Sequence, residues 1–122
     1  MENNNFKNDF YRRIYKYSLS IIKFVEKLPK DSVSQIMEKQ LIRSGTSVSA
    51  NLVEAKSASS KKDYINFYTH ALKSSNESKL WIGLLRDSNR ADLKESELLL
   101  KETNEISNIL AASIMTMKGK KK

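Results

Sequence analysis

Residues 40–55 read QLIRSGTSVSANLVEA, a stretch whose composition departs from that of the rest of the chain. Asp, Glu, Lys and Arg form 30% of the 122 residues, yet Arg43 is the only charged residue from Gln40 to Val53. Glycine, threonine and several serines stand where a core helix would carry large apolar side chains. The composition therefore predicts a helix that suits neither a purely apolar core nor a solvated surface.

On a helical wheel, this segment divides into three faces. The apolar face spans about 80° and enters the predicted core; it contains Met37, Leu41, Ser44, Val48, Leu52 and Ala55. The adjacent polar face contains Arg43, Ser47, Ala50, Asn51 and Glu54. The third face contains Ile42, Ser49 and Val53. Because no face is rich in the Lys and Glu residues of a solvated helix, we expect a second subunit to cover this helix; a Ser- and Thr-rich surface is the alternative.

The polar face needs partners, because a buried charge is costly unless it is paired and hydrogen-bonded. We expect an ion pair between Arg43 and Glu77 of the third helix, either within one chain or between two chains. Replacing Arg43 by alanine should then cost about 3 kcal/mol of folding or assembly free energy. The expected polar network and interface consists of Arg43, Ser47, Asn51, Glu54, Ser74 and Glu77.

The remaining sequence predicts an all-α chain that forms a single domain over residues 1–122. Only three glycines and one proline are present, too few for the turns of a sheet. Apolar residues alternate at spacings of three and four in segments at about 8–28, 32–56, 61–87 and 93–118, followed by a basic tail at 118–122. Short connections between long helices indicate antiparallel neighbours, and hence an up-down-up-down four-helix bundle.

Local signals predict the helix boundaries and the core lines. Pro29 ends the first helix, and the starts of the others resemble capping boxes, which pair Ser32 with Gln35, Ser60 with Asp63, and Asp92 with Glu95. The core line of the first helix is Phe10, Ile14, Tyr17, Ile21, Phe24 and Leu28. That of the third helix is Phe67, Ala71, Ser74, Ser78, Trp81 and Leu85. That of the fourth helix is Leu99, Thr103, Ile106, Leu110, Ser113 and Met117.

The net charge of +8 favours an acidic partner, most often nucleic acid, although it also serves solubility. A basic stripe on the first helix lies within about 60° of the wheel and contains Arg12, Lys16, Lys23, Lys27 and Lys30. Because the fourth helix of an up-down bundle ends beside the start of the first, the stripe is extended by Arg13, Lys118, Lys120, Lys121 and Lys122. Such a stripe can follow a phosphate backbone without reading base sequence. Tyr11 and Tyr15 are the only nearby aromatic residues for base stacking; a merely solvated face is the alternative.

Catalytic, metal-binding and membrane signals are lacking in the sequence. There is no cysteine, His70 is the single histidine, and neither a Gly-rich phosphate loop nor the Glu-x-x-His pair of di-iron bundles occurs. His70 is expected on the core side of the third helix, packed rather than reactive. No apolar run approaches the ~18 residues of a membrane span, and the polar N-terminus lacks a signal-peptide core. We therefore expect a non-enzymatic, cytoplasmic protein without a metal, a cofactor or a membrane partner.

Three motifs that place polar residues at non-repeating spacings form one pattern. They are Q-L-x-R-S-x-x-S-V-x-A-N-L-x-E-A at 40–55, L-P-K at 28–30 and A-x-x-S-x-x-E-x-x-x-W at 71–81. The pattern closely resembles that of the bacterial 23S rRNA intervening-sequence proteins, also called the S23 ribosomal family, and the resemblance extends over 10–117. Ala55 departs from the family, which usually has glycine at this position.

The resemblance implies a left-handed four-helix bundle that assembles as a homopentamer and associates with RNA. A related branch, the accessory variability-determinant protein of diversity-generating retroelements, binds nucleic acid and a reverse transcriptase. We therefore expect an accessory protein that binds RNA or DNA through its basic stripe, repeated around a ring. A structural or adaptor ring that binds another protein is the alternative.

Overall fold

Four α-helices make up most of the structure, a computed structural model that describes residues 4–119. They are α1 (Asn4–Glu26), α2 (Ser32–Lys56), α3 (Lys61–Asp87) and α4 (Leu93–Met117). No strand occurs within residues 4–119. The helices α2 and α3 have the expected bounds, whereas α1 begins earlier than expected and α4 ends at Met117. Of the basic tail, Lys120, Lys121 and Lys122 lie outside the described residues.

The helices pack in chain order, and α1 closes the arrangement by contacting α4. Side-chain pairs along α1 and α4 run in opposite numerical order, since Arg13 pairs with Glu102 whereas Lys27 pairs with Glu95. The short turns between the other neighbours reverse the chain direction each time. The expected all-α, up-down-up-down four-helix bundle is confirmed.

The cap of α2 differs from the expected one. Asp31, not Ser32, is the N-cap, and its carboxylate accepts hydrogen bonds from the backbone N–H of Ser34 at 3.0 Å and from the Ser34 hydroxyl at 2.9 Å. A carboxylate suits this position because it also faces the positive end of the helix dipole. The expected caps of α3 and α4 are confirmed, with the N–H groups of Asp63 and Glu95 bound by Ser60 and Asp92.

The core line of α1 is confirmed, because all six of its predicted residues are buried. The predicted line of α3 is wrong in part: the buried residues are Tyr68, Ala71, Ser75, Ser78, Ile82 and Leu85. The predicted Phe67, Ser74 and Trp81 are only half-buried, and His70 is exposed rather than packed on the core side. The cause is that α3 contacts both α2 and α4, so its buried line is centred between the two neighbours.

The core line of α4 needs a smaller correction at its C-terminal end. Leu99, Thr103, Ile106 and Leu110 are buried as predicted. Beyond them Ile114 is buried, whereas the predicted Ser113 and Met117 are half-buried. A straight helix drifts by about 20° per heptad from a strict three-four repeat, so the predicted line turns away from the core as the helix lengthens.

Hydroxyl groups form hydrogen bonds between helices inside this core. Tyr17 and Thr103 join α1 to α4 at 2.7 Å, with both residues buried. Serine pairs do the same elsewhere, Ser44 with Ser78 at 2.8 Å and Ser75 with Ser107 at 2.7 Å. Within residues 4–119, no buried side-chain nitrogen or oxygen lacks a hydrogen-bond partner. The small polar residues of α2 and α3 are therefore part of the packed interior.

None of the helices within residues 4–119 is long and apolar enough to cross a membrane.

Candidate nucleic-acid interface

The third face of α2 is covered in part by α1 of the same chain. The Ser49 hydroxyl lies 2.7 Å from that of Ser18 and donates to the Ile14 carbonyl at 3.3 Å. Ile42 is half-buried against the core, whereas Val53 is 61% exposed. A second subunit is thus not required to cover Ile42 and Ser49, which corrects one reason for expecting an interface there. The sequence alone does not reveal that α1 covers this face, because the coverage depends on how α1 packs against α2.

The Arg43–Glu77 ion pair forms within one chain, as one of the two expected alternatives. Gln40 accepts a further hydrogen bond from Arg43 at 2.9 Å, and the indole N–H of Trp81 donates to the Glu77 carboxylate at 3.0 Å. The pair is only partly shielded, since the side chain of Arg43 is 55% exposed and that of Glu77 is 35% exposed. Sequence reasoning missed Gln40 and Trp81, although both lie within one helical turn of the pair.

The other residues of the expected network have different roles. Ser47 donates to the Arg43 carbonyl at 2.6 Å, and Asn51 donates to the Ser47 carbonyl at 2.9 Å. These are hydrogen bonds to the backbone of α2, so neither side chain completes the Arg43–Glu77 pair as expected. Ser74 is half-buried and its carbonyl accepts from Ser78, while Glu54 is exposed.

The exposure of the ion pair changes the expected cost of removing it. The Trp81 hydrogen bond, and after it the Arg43 guanidinium, hold the pKa of Glu77 below its ordinary value. For a solvent-screened pair, however, Arg43→Ala should lower the unfolding free energy of a single chain by less than about 1 kcal/mol. Urea unfolding at protein concentrations where the chain is monomeric measures this. A loss of about 3 kcal/mol under those conditions would contradict the partly exposed position of the pair.

The basic stripe of α1 divides into two environments. Toward the C-terminal half, Lys23 and Lys27 line a cleft together with the carboxylates of Glu95 and Glu102. Lys27 forms an ion pair with Glu95 at 3.0 Å. Nearby acidic groups thus balance the positive charge of this half, which weakens its attraction for phosphates.

Arg13 lies on the side of α1 that faces α4 rather than in the stripe. Its guanidinium donates two hydrogen bonds to Glu102, at 2.7 and 2.8 Å, and one to Glu105 at 2.6 Å. The hydrogen bond with Glu102 is the largest cause that raises the pKa of Arg13. A guanidinium bound by two carboxylates serves the α1–α4 contact and offers little to an external phosphate.

The N-terminal half of the stripe forms the wall of a different cleft. This cleft has a volume of about 490 Å³ and is lined by Asn8, Tyr11, Arg12, Tyr15, Lys16 and Lys56. No carboxylate is among these residues, so the lining carries three positive charges and two aromatic rings. Basic and aromatic side chains around one cleft are the combination that binds phosphates and bases.

Lys56 belongs to this cleft although it stands far from the stripe in sequence. It is in the last turn of α2, and its ammonium group lies 4.3 Å from the centre of the Tyr11 ring, a cation–π contact. Tyr15 is 66% exposed beside it. The sequence did contain a signal for this contact, because an antiparallel arrangement of α1 and α2 places the end of α2 near the start of α1.

The remaining predicted cations lie near the ends of the bundle. Arg12 forms an exposed ion pair with Asp9 at 2.6 Å, which competes with any phosphate. Lys118 is exposed at the end of α4, on the side of the bundle where Phe6 and Met117 line a common groove. Lys30 is exposed in the α1–α2 turn at the opposite end. The end of α4 therefore lies close to the start of α1, as expected, within the described residues.

The described residues offer no metal centre. In the range 4–119, no three His, Cys, Asp or Glu side chains come together in a way that could hold a metal ion.

Comparisons with known proteins agree with this fold and with the motifs in the sequence. The model of the family described as 23S rRNA-intervening sequence protein matches residues 7–112. A crystal structure of a protein with unknown function from the S23 ribosomal protein family of Bacteroides thetaiotaomicron VPI-5482 is similar to this chain, with a TM-score of 0.81 and 30% sequence identity. The similarity covers 86% of this chain and 97% of that one. No curated protein matches the chain significantly. With a family match over most of its length and a bundle like that of its relative, the chain belongs to the 23S rRNA-intervening sequence protein family.

Proposed function

We propose that this protein is a non-enzymatic, homo-oligomeric accessory protein that binds nucleic acid, with RNA as the expected class, through the basic face of α1. One observation carries the proposal: the cleft formed by Arg12, Lys16 and Lys56 has cations and tyrosines in its lining and no carboxylate, while Asp9, which pairs with Arg12, lies outside the lining. The name of the family, which refers to 23S rRNA, agrees with an RNA partner. Cations that contact phosphates provide affinity without sequence recognition.

The cleft cations are expected to matter more than other surface cations. We would measure binding of labelled RNA and DNA by fluorescence anisotropy at several salt concentrations, for the wild type and for a variant with Arg12, Lys16 and Lys56 changed to glutamine. The variant should bind at least tenfold more weakly and show a shallower salt dependence, because about three phosphate contacts are lost.

The matched control removes the same charge elsewhere. Lys39, Lys73 and Lys94 lie on the other three helices, away from the cleft, and their change to glutamine should have a much smaller effect. A variant with Lys23 and Lys27 changed to glutamine should fall between the two, because Lys27 already pairs with Glu95. If all variants lost the same amount of binding affinity, binding would depend on net charge alone and the cleft would not be the site.

A second surface supports the oligomeric part of the proposal. The outer face of α2 and α3 exposes Ile36, Leu80 and Leu84 within about two helical turns of the Arg43–Glu77 pair. Exposed apolar residues around a polar pair are typical of contacts between protein chains. By the resemblance the assembly would be a pentamer; the same face would serve an adaptor ring that binds another protein, such as a reverse transcriptase.

Native mass spectrometry tests the assembly. We expect five copies of the chain in the wild type and a shift toward monomer when Ile36 and Leu84 are both changed to glutamate. Changing Leu98, which is exposed on α4, to glutamate is the control and should leave the assembly intact. A monomeric wild type at micromolar concentration would contradict self-assembly.

A further inference from the structure

The cleft at the start of α1 contains two tyrosines with different surroundings. Tyr11 and Tyr15 stand four residues apart, and each is followed by a cation, Arg12 and Lys16. Four residues along a helix rise about 6 Å, so the two Tyr–cation pairs occupy successive turns of one helix. The two rings differ in access, however, because Lys56 lies over Tyr11 whereas Tyr15 is 66% exposed.

Tyr11 is held in place by its neighbours. Its ring is partly buried against the core near Tyr64 and Tyr68, and the Tyr64 hydroxyl donates to that of Tyr68 at 3.4 Å. Burial is the largest cause that raises the pKa of Tyr11 to about 12, so the ring stays uncharged at neutral pH. An anchored ring of this kind keeps the Lys56 ammonium at the cleft, and Tyr11 is therefore a positioning residue rather than a platform for a base.

We propose that Tyr15 stacks on an unpaired base while Arg12, Lys16 and Lys56 contact the phosphates on either side, which makes single-stranded nucleic acid, or the unpaired loop of a folded one, the ligand of this cleft. This inference rests on the proposed function and specifies its ligand.

Ring access is the reason for preferring an unpaired segment. In a duplex the faces of each base are covered by the neighbouring pairs, so an exposed tyrosine ring gains nothing from stacking and only the cations contribute. An unpaired base offers a free face, and stacking on an aromatic side chain then adds affinity for any base. The cleft volume of about 490 Å³, open between α1 and the end of α2, leaves room for a base beside the ring.

The experiment compares one RNA oligonucleotide in two states. A fluorescein-labelled oligonucleotide of mixed sequence and about 16 nucleotides, the longer end of known single-strand site sizes, is titrated alone and after annealing to its complement. Tyr15→Ala should weaken binding of the single strand about tenfold, and should change binding of the duplex by less than about twofold. Tyr15→Phe should bind both forms like the wild type, since it keeps the ring.

The positioning role of Tyr11 has its own readout. Lys56→Gln should reduce the slope of log affinity against log salt by about one, because one phosphate contact is lost. In a Tyr11→Leu background the same change should have a clearly smaller effect, since Lys56 is no longer held at the cleft. Tyr11→Phe should restore the full effect of Lys56→Gln, as it preserves the ring under the ammonium group.

The outcomes separate this inference from the function on which it rests. In one outcome the wild type binds, the triple cleft variant does not, and Tyr15→Ala either weakens binding of the single strand and the duplex equally or weakens neither. Stacking on Tyr15 is then wrong, and the proposed function stands. Tight binding of the duplex alone would likewise exclude stacking on Tyr15 and leave the proposed function in place. If the wild type binds neither form at low salt, the proposed function itself is overturned. Circular dichroism melting confirms that each variant is folded, which we expect for Tyr15 because its side chain is exposed.

Discussion

Gly45→Ala is expected to lower the stability of the bundle, whereas Gly83→Ala, the same change in the next helix, is expected to raise it. Both glycines lie inside helices, where alanine is better by up to about 1 kcal/mol. A Cβ atom at Gly45 would stand 2.9, 3.1 and 3.2 Å from three side-chain carbons of Ile21, and Ile21 is fully buried. At Gly83 no atom outside the adjoining residues and the local helix backbone lies within 4 Å of the added carbon. At Gly45 the overpacking cost of about 1–3 kcal/mol therefore outweighs the gain in helix propensity, whereas at Gly83 the gain remains.

Urea unfolding, monitored by circular dichroism, measures whether each of the two changes raises or lowers the unfolding free energy. We expect Gly45→Ala to lose about 1 kcal/mol and Gly45→Val about 3 kcal/mol, while Gly83→Ala gains about 0.5–1 kcal/mol. In an Ile21→Ala background the contacting carbons are absent, so Gly45→Ala should become neutral or stabilising. If Gly45→Ala stabilised the wild type as much as Gly83→Ala does, the close contact between α1 and α2 would be wrong.

The second large effect is a loss of stability at alkaline pH. Burial raises the pKa of Tyr17 from 10.0 to about 12, against the hydrogen bond with Thr103, which acts in the opposite direction. Because the folded-state pKa lies above the unfolded value, the stabilisation is present below about pH 10 and is lost as the pH rises toward about 12. Tyr17 alone should account for a decrease of about 3 kcal/mol in unfolding free energy over this range.

Tyr17→Phe isolates this contribution. At neutral pH the variant should be less stable by about 1 kcal/mol, since the hydrogen bond to Thr103 is lost. Between about pH 10 and 12 its unfolding free energy should decrease less steeply than that of the wild type. Some decrease should remain, because burial also raises the pKa of Tyr11 and Tyr68. Parallel pH profiles for wild type and variant would show that the pKa of Tyr17 does not differ between the folded and unfolded states.

Most features that depend on residues close in sequence were predicted correctly; the N-cap of α2, which is Asp31 rather than Ser32, is an exception. The core line of α1, the caps of α3 and α4 and the bounds of α2 and α3 follow from residues within a few turns of one another, because side-chain period and capping are local properties. The antiparallel bundle follows in turn, since long helices joined by short turns have few other ways to bury an apolar stripe.

The contacts that make up the candidate site required the packed bundle. Which side of α3 is buried, and so why His70 is exposed, depends on its two neighbours at once. Lys56 reaches Tyr11 only because α2 ends beside the start of α1, and the stripe divides only because Glu95 and Glu102 face its second half. Residues on a single helix can be placed by a wheel, but the groups opposite them are set by the rotation of one packed helix against another. For this reason the sequence established the family, the helices and the excess of positive charge, whereas the packing of the helices selected the few cations and the one exposed ring that share a cleft.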